Sequence, residues 1–257
     1  MTDILLTHSY HLYFDAKQVR KMQPYPPLGT LYAAALLRER GFSTTVFDSM
    51  LQDPERGFPE ALKRQRPRVV AIYEDNFNFL SKMCLTRMRQ VAFGMIEAAK
   101  AVGAKVVVNG SDASDHVREY LHQGADFVLL GEAEWTLLEL LGFLLEKSNL
   151  EPRDIRGLAF MDGNAGRVVR TPPRPLMNDL DSLPLPARDL VDLEPYRAAW
   201  RKAHGFFSLN VVASRGCPYR CNWCAKPIYG DSFHLRSAQS VADEMHILKY
   251  QCGADHL

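Results

Sequence analysis

Short β-branched runs alternate with longer helical patterns through the first 150 residues, and this alternation restricts the fold more than any other feature of the chain. Ile4 to Thr7 reads as a strand, Leu28 to Arg40 as a helix stopped by Gly41, and Thr44 to Asp48 as a second strand. Phe58 to Gln65 reads as a short helix, Val69 to Tyr73 as a third strand, and Phe79 to Val102 as a long helix closed by Gly103. Lys105 to Asn109, a helix near Ser114 to His122, Asp126 to Leu130 and a helix from Glu132 to Lys147 complete five βα units. Parallel strands need crossovers, and the crossovers cover both faces of the sheet.

The pattern therefore predicts an α/β, doubly wound, flavodoxin-like parallel sheet of strand order 2-1-3-4-5 over residues 1–148. Ligands of such sheets bind at the carboxyl ends of the strands, which directs attention to Ser9 to Pro27, Glu74 to Asn78 and Gly110 to Asp115. No G-x-G-x-x-G phosphate cradle follows any strand.

Beyond Asn149 the pattern changes. Gly157 to Met161 and Arg167 to Arg170 flank a turn sequence, Asp162 to Gly166, and read as a hairpin. Pro172-Pro173-Arg174-Pro175 and Leu183 to Leu190 form a proline-rich stretch, read as a semi-rigid linker without a binding role, so that 149–206 is expected to be hairpin and linker. Phe207 to Ala213 reads as a strand, Ala238 to Tyr250 as an amphipathic helix, and Gly253 to Leu257 as the start of another strand. One βα unit cannot close a sheet, whereas a barrel needs on the order of 200 residues more, so 207–257 is expected to open a truncated domain and the chain to be the front of a longer one.

With 31 basic and 30 acidic residues, scattered along the chain, the net charge of +1 gives no footprint for nucleic acid or an anionic membrane. The cluster Lys63, Arg64, Arg66 and Arg68 reads as a solvated helix end. There is no basic segment followed by a long apolar one, and no run of about 20 apolar residues, which gives the expectation of a cytoplasmic location. Five cysteines are too few and too unevenly placed for a disulfide scaffold, and Cys84 reads as plain core.

The other three, Cys217, Cys221 and Cys224, stand in Ser214-Arg215-Gly216-Cys217-Pro218-Tyr219-Arg220-Cys221-Asn222-Trp223-Cys224-Ala225-Lys226-Pro227. Three thiolates so spaced can hold three corners of a cubane iron-sulfur cluster and leave one iron open. Two other readings compete: a helical core stripe, which Gly216, Pro218 and Pro227 oppose, and a zinc site completed by Cys252 or His256.

The CxxxCxxC spacing resembles that of the radical S-adenosylmethionine (radical SAM) enzymes, and Trp223 to Pro227 resembles their cobalamin-binding branch. The resemblance implies a 4Fe-4S cluster on Cys217, Cys221 and Cys224 and S-adenosylmethionine on the open iron. It also implies a 5′-deoxyadenosyl radical, a partial (β/α) barrel begun at 207–257, and Trp223 near the adenine. The first 148 residues resemble the cobalamin-binding domain that precedes such barrels, on Tyr25-Pro26-Pro27-Leu28-Gly29 and Gly131-Glu132-Ala133-Glu134. By that resemblance Pro26, Gly29, Gly110, Gly131 and Glu132 are candidate cobalamin-loop residues, although a proline-started helix and an acidic first turn account equally well for the two motifs.

Aligning Gly29 with the glycine of Asp-x-His-x-x-Gly puts Pro24 and Pro26 at the aspartate and histidine, so the cobalamin is expected without a histidine lower ligand. His8 and His11 lie on the same loop edge as conceivable substitutes. The resemblance further implies methyl transfer or ring-forming oxidation, a small-molecule or cofactor-like substrate, and a reductant such as flavodoxin or ferredoxin. The rival readings are a non-catalytic corrinoid-binding module with structural zinc at the cysteines, and a flavodoxin-like flavin or nucleotide binder.

Overall fold

The structure, a computed structural model, describes residues 2–77, 84–163, 166–219, 221 and 228–257. Its centre is a sheet of strands β1 (Ile4–Thr7), β2 (Thr44–Phe47), β3 (Val69–Tyr73), β4 (Lys105–Asn109) and β5 (Phe127–Leu129), parallel and ordered 2-1-3-4-5 as expected. Successive side chains of a strand point to opposite faces. Accordingly Ile4, Leu6, Val69, Ala71 and Val107 pack on one side with α2 (Leu28–Glu39) and α7 (Glu134–Leu144). Leu5, Val70, Ile72, Val106 and Val108 pack on the other with α3 (Pro54–Gln65), α4 (Leu85–Ala101), α5 (Ser111–Asp115) and α6 (Val117–His122). The remaining helix of this region, α1 (Ala16–Lys21), lies in the loop after β1 and is capped by Asp15.

Several boundaries differ from the sequence reading. Helix α3 begins at Pro54 rather than Phe58, because Asp53 accepts the Glu55 N–H at 2.9 Å and proline occupies the first turn. Helix α4 begins at Leu85, with Cys84 at the N-cap position but no side-chain cap, and the expected start at Phe79 lies outside the described residues. The single helix expected near Ser114 to His122 is two short ones, broken at His116.

The hairpin forms as β6 (Leu158–Asp162) and β7 (Arg167–Arg170), and it joins the sheet: β6 pairs antiparallel with β5. The edge of the parallel sheet is thereby covered, which removes an unpaired row of amides and carbonyls. The proline-rich stretch is not a free spacer either. Leu183 and Ala187 are buried, the Ala187 N–H donates to the Leu31 carbonyl, and α8 (Glu194–His204) seats Tyr196 and Trp200 against Tyr10, Leu12 and Met50.

The strand expected from Phe207 to Ala213 is absent. Phe207 to Leu209 make one short parallel bridge, in which the Leu209 N–H donates to the His256 carbonyl and the Phe207 carbonyl accepts from the N–H groups of Asp255 and His256, and beyond it arginines rather than a ladder take the carbonyls. Arg188 donates to the Asn210 carbonyl at 2.5 Å, while Arg236 donates from its side chain to the Val212 carbonyl and from its N–H to that of Ala213, each at 2.9 Å. The next strand expected from Gly253 to Leu257 is reduced to the same bridge. Two short strands, β8 (Ser214–Arg215) and β9 (His234–Leu235), pair antiparallel around the cysteine segment, and α9 (Ala238–Tyr250) follows.

Candidate cofactor site at the carboxyl edge of the sheet

The loops after β1, β2 and β3 converge with the end of β4, and they carry a dense polar network. His8 is 1% exposed, with Nε2 at 2.9 Å from Asp48 Oδ1 and Nδ1 at 3.3 Å from Ser49 Oγ. The Tyr196 hydroxyl, from α8, donates to the other Asp48 oxygen at 2.5 Å. Glu74 accepts from Ser9 Oγ at 2.6 Å and from its N–H, Asp75 accepts the Gly29 N–H at 2.9 Å, and Asn76 Nδ2 donates to Asn109 Oδ1 at 3.0 Å. Beside them a cavity of about 20 Å³, lined by Ser9, Glu74, Asn76, Asn109 and Asp112 among others, has room for one water.

Burial lowers the His8 pKa, but the hydrogen bond and charge of Asp48 together with the charges of Glu74 and Asp75 outweigh it, and the net direction is upward. Burial raises Glu74 and Asp75 against the hydrogen bonds they accept. In all three the folded state holds protons more tightly than the unfolded one, so each contributes stability at low pH that is lost as pH rises. For His8 that contribution is full below about 6.5 and disappears as pH climbs through its higher folded value. Urea midpoints are therefore expected to fall between pH 6 and pH 8. In Asp48→Asn, which removes the carboxylate bonded to His8 and leaves burial opposed only by the charges of Glu74 and Asp75, that fall should shrink; an unchanged pH slope would remove the His8–Asp48 pair as its source.

The glycines of this edge answer to protein packing. A Cβ on Gly29 would sit 3.3 Å from Asp75 Oδ1, and one on Gly110, whose φ is +149°, would sit 2.9 Å from Glu74 Cγ. Pro26 is buried, and the neighbouring Pro24 carbonyl accepts the Trp200 indole N–H at 2.7 Å. Gly131, at φ +71°, has open space about its Cα apart from the Ile228 carbonyl at 3.9 Å.

Glu132 is placed otherwise than a loop residue facing solvent. Its Oε1 lies 2.6 Å from Arg215 Nη1, Glu134 Oε1 lies 2.8 Å from Arg215 Nη2, and all three side chains are 6% exposed or less. Tyr32, Phe77 and Tyr229 ring the same guanidinium with centroids at 5.5, 5.1 and 4.9 Å. The sequence reading did not single out Arg215, although its position two residues before Cys217 was visible.

Cys217 and Cys221 are exposed, free thiols. Cys224 and Trp223 lie outside the described residues. No set of three or more His, Cys, Asp or Glu gathers as a metal cage among the described residues, and Cys252 packs instead with the Tyr196, Trp200 and Phe207 cluster. Two accessible thiols four residues apart, with a third supplied three residues later in sequence, fit the donor set of an iron-sulfur cluster. Among the described residues no helix is long and apolar enough to cross a membrane.

Residues 22–141 match the B12 binding domain family. An uncharacterised methyltransferase of Pyrococcus horikoshii is 29% identical over 234 residues, covering 89% of this chain and 47% of its own length. The anaerobic magnesium-protoporphyrin IX monomethyl ester cyclase of Cereibacter sphaeroides is 24% identical over 239 residues, covering 89% of this chain and 36% of its own. Among solved structures, the radical SAM methyltransferase TsrM of Kitasatospora setae, with cobalamin and a 4Fe-4S cluster bound, has a TM-score of 0.69 at 21% identity, over 98% of this chain and 46% of its own. The chain carries a B12 binding domain, and over nearly its whole length it is similar to cobalamin-dependent radical SAM enzymes.

OxsB, a cobalamin-dependent S-adenosylmethionine radical enzyme with aqua-cobalamin bound, shares this fold with a TM-score of 0.72 at 17% identity, over 99% of this chain and 33% of its own. This chain spans under half the length of the two curated relatives it matches. Its matched B12-binding region takes in α2 to α6, most of α7, and Pro26, Gly29, Gly110, Gly131 and Glu132.

Proposed function

We propose that Cys217, Cys221 and Cys224 hold a 4Fe-4S cluster whose open iron receives S-adenosylmethionine, and that the carboxyl edge of the sheet holds cobalamin. The observation that carries this reading is the pair of exposed, unpaired thiols of the CxxxCxxC segment set directly after Arg215, which is bound to that edge. When bound, the groups supply one-electron cleavage of the sulfonium C–S bond to a 5′-deoxyadenosyl radical and a corrinoid for methyl transfer or ring-forming oxidation.

The chain's own part is to bind and orient. Trp223 is the residue proposed to lie against the adenine. His8 is held by Asp48 and Ser49 on its two ring nitrogens, and His11 Nδ1 donates to the Ser49 carbonyl, which supports cobalamin bound without a protein histidine beneath it. The substrate is proposed to be a small molecule, the class named for TsrM, whose structure is described with tryptophan as substrate. The exposed cysteines and the exposed Tyr219 leave this side open to a reductant of the flavodoxin or ferredoxin kind, in the cytoplasm.

Anaerobic reconstitution with iron and sulfide is expected to load about four irons per chain, with a broad absorption that dithionite bleaches. Cys217→Ala should fall below about one iron per chain, and Cys252→Ala should load as wild type. One zinc and no iron would establish the non-catalytic module instead. Hydroxocobalamin should survive desalting where flavin mononucleotide does not, and the reduced cob(II)alamin signal should lack splitting from a histidine nitrogen; retention of flavin alone would overturn the corrinoid assignment.

A further inference from the structure

The Arg215 guanidinium gathers parts of the molecule far apart in sequence. Glu132 comes from the turn between β5 and α7, Glu134 opens α7, Phe77 follows β3, and Tyr32 lies on α2. Tyr229, beyond the last cysteine, stacks on Phe77 at 4.8 Å with planes 16° apart and closes the same cage. Glu132 Oε2 also accepts the Met177 N–H at 2.7 Å, so the connector is tied to the same point. Three elements of the carboxyl edge thus grip both described ends of the cysteine segment.

A guanidinium suits this position. Its planar fork can meet two carboxylates at once, while its faces stack on rings, so it has one orientation where an ammonium has many. Among the described residues of the cysteine segment other regular support is slight: β8 and β9 are two residues each, and the Cys217 N–H reaches the Gly230 carbonyl only at 3.4 Å.

We infer that Arg215 is a positioning residue: the Glu132–Arg215–Glu134 node fixes where the cysteine segment stands relative to the carboxyl edge, and hence the separation of cluster and corrinoid. The second half of this inference rests on the proposed function, whereas the first concerns the chain alone. Arg215 is not assigned any contact with substrate or cofactor.

The test uses the full chain with Glu132→Gln/Glu134→Gln, which keeps the hydrogen-bond acceptors and removes the charges, and with Arg215→Lys. In the cofactor-free protein, amide hydrogen exchange is expected to quicken about tenfold in peptides covering 214–219 and 228–235 in both variants, while peptides of β1 to β4 stay within about twofold of wild type. Exchange unchanged at 214–219 and 228–235, or raised equally everywhere, overturns the node.

In protein loaded with cluster and cob(II)alamin, pulsed electron paramagnetic resonance should give one narrow separation for wild type and for Ile96→Ala, a core variant that only lowers stability. The node variants should give a broadened or longer separation; an unchanged one overturns the positioning role. If wild type takes up no iron, the proposed function fails while the exchange experiment still judges the node.

Discussion

Glu244→Ala is expected to cost about 3–5 kcal/mol, a drop of roughly 10 °C in the thermal midpoint. Glu244 on α9 is 2% exposed and lies between two guanidiniums, each on a side chain 5% exposed. Arg188 Nη2 reaches its Oε1 at 3.0 Å, and Arg236 Nη1 meets Oε2 while also donating to the Tyr32 hydroxyl at 3.0 Å. Arg188 Nε is buried without a hydrogen-bond partner among the described residues, so this arginine has no spare stabilisation to draw on. Alanine leaves two buried cations without a counter-charge in a low-dielectric site, where their repulsion and lost solvation are largest.

The same physics predicts the remedy. Arg188→Met/Glu244→Leu/Arg236→Met, which removes all three charges together, should recover most of the loss, because an apolar triad avoids the desolvation cost altogether. Urea midpoints of the single and triple variants check both halves. A single-variant loss under about 1 kcal/mol would mean that the arginines' backbone acceptors, Asn210 and Val212, suffice to hold them.

The parallel sheet was legible because its information is local and periodic. Val69 to Tyr73 and Lys105 to Asn109 are β-branched runs buried on both faces, and each lies one crossover from its neighbour. The spacing of the cysteine segment is local too, and the structure adds that Cys217 and Cys221 are exposed. What escaped was fixed at long range. Phe207 to Ala213 has the composition of a strand, yet past Leu209 the carbonyls of Asn210 and Val212 are taken by Arg188 and Arg236, 22 and 24 residues away. No window of sequence shows such a competitor.

Glu132 and Glu134 illustrate the same limit. The acidic first turn of α7 was visible and has an adequate local explanation in the helix dipole. That both carboxylates turn inward onto Arg215, 83 and 81 residues away, follows only from the fold. The proline-rich connector was misjudged as a spacer because proline content reports stiffness, whereas its packing depends on Leu183 and Ala187 meeting a surface built by other elements.

Gly216→Ala should be the most damaging small substitution near the cysteines, costing about 3 kcal/mol or more and reducing iron loading about tenfold. Gly216 has φ +80°, where an L-residue pays roughly 1–2 kcal/mol before any contact is considered. Its added Cβ would overlap the Ser232 carbonyl oxygen and stand 2.9 Å from that of Tyr229. Both are backbone atoms, so no rotamer change relieves them, and residues 229–232 must move away from β8. That movement opens the Ser214 to Leu235 and Arg215 to His234 pairs and the Cys217 N–H bond to Gly230. Gly41 offers the control: its φ is +81°, and nothing lies within 4 Å of a Cβ there, so Gly41→Ala should cost only the backbone strain of about 1–2 kcal/mol and load iron normally. Equal melting temperatures and equal iron uptake in the two variants would show that the segment from 229 to 232 yields without cost, and that the path of the chain into Cys217 is set elsewhere.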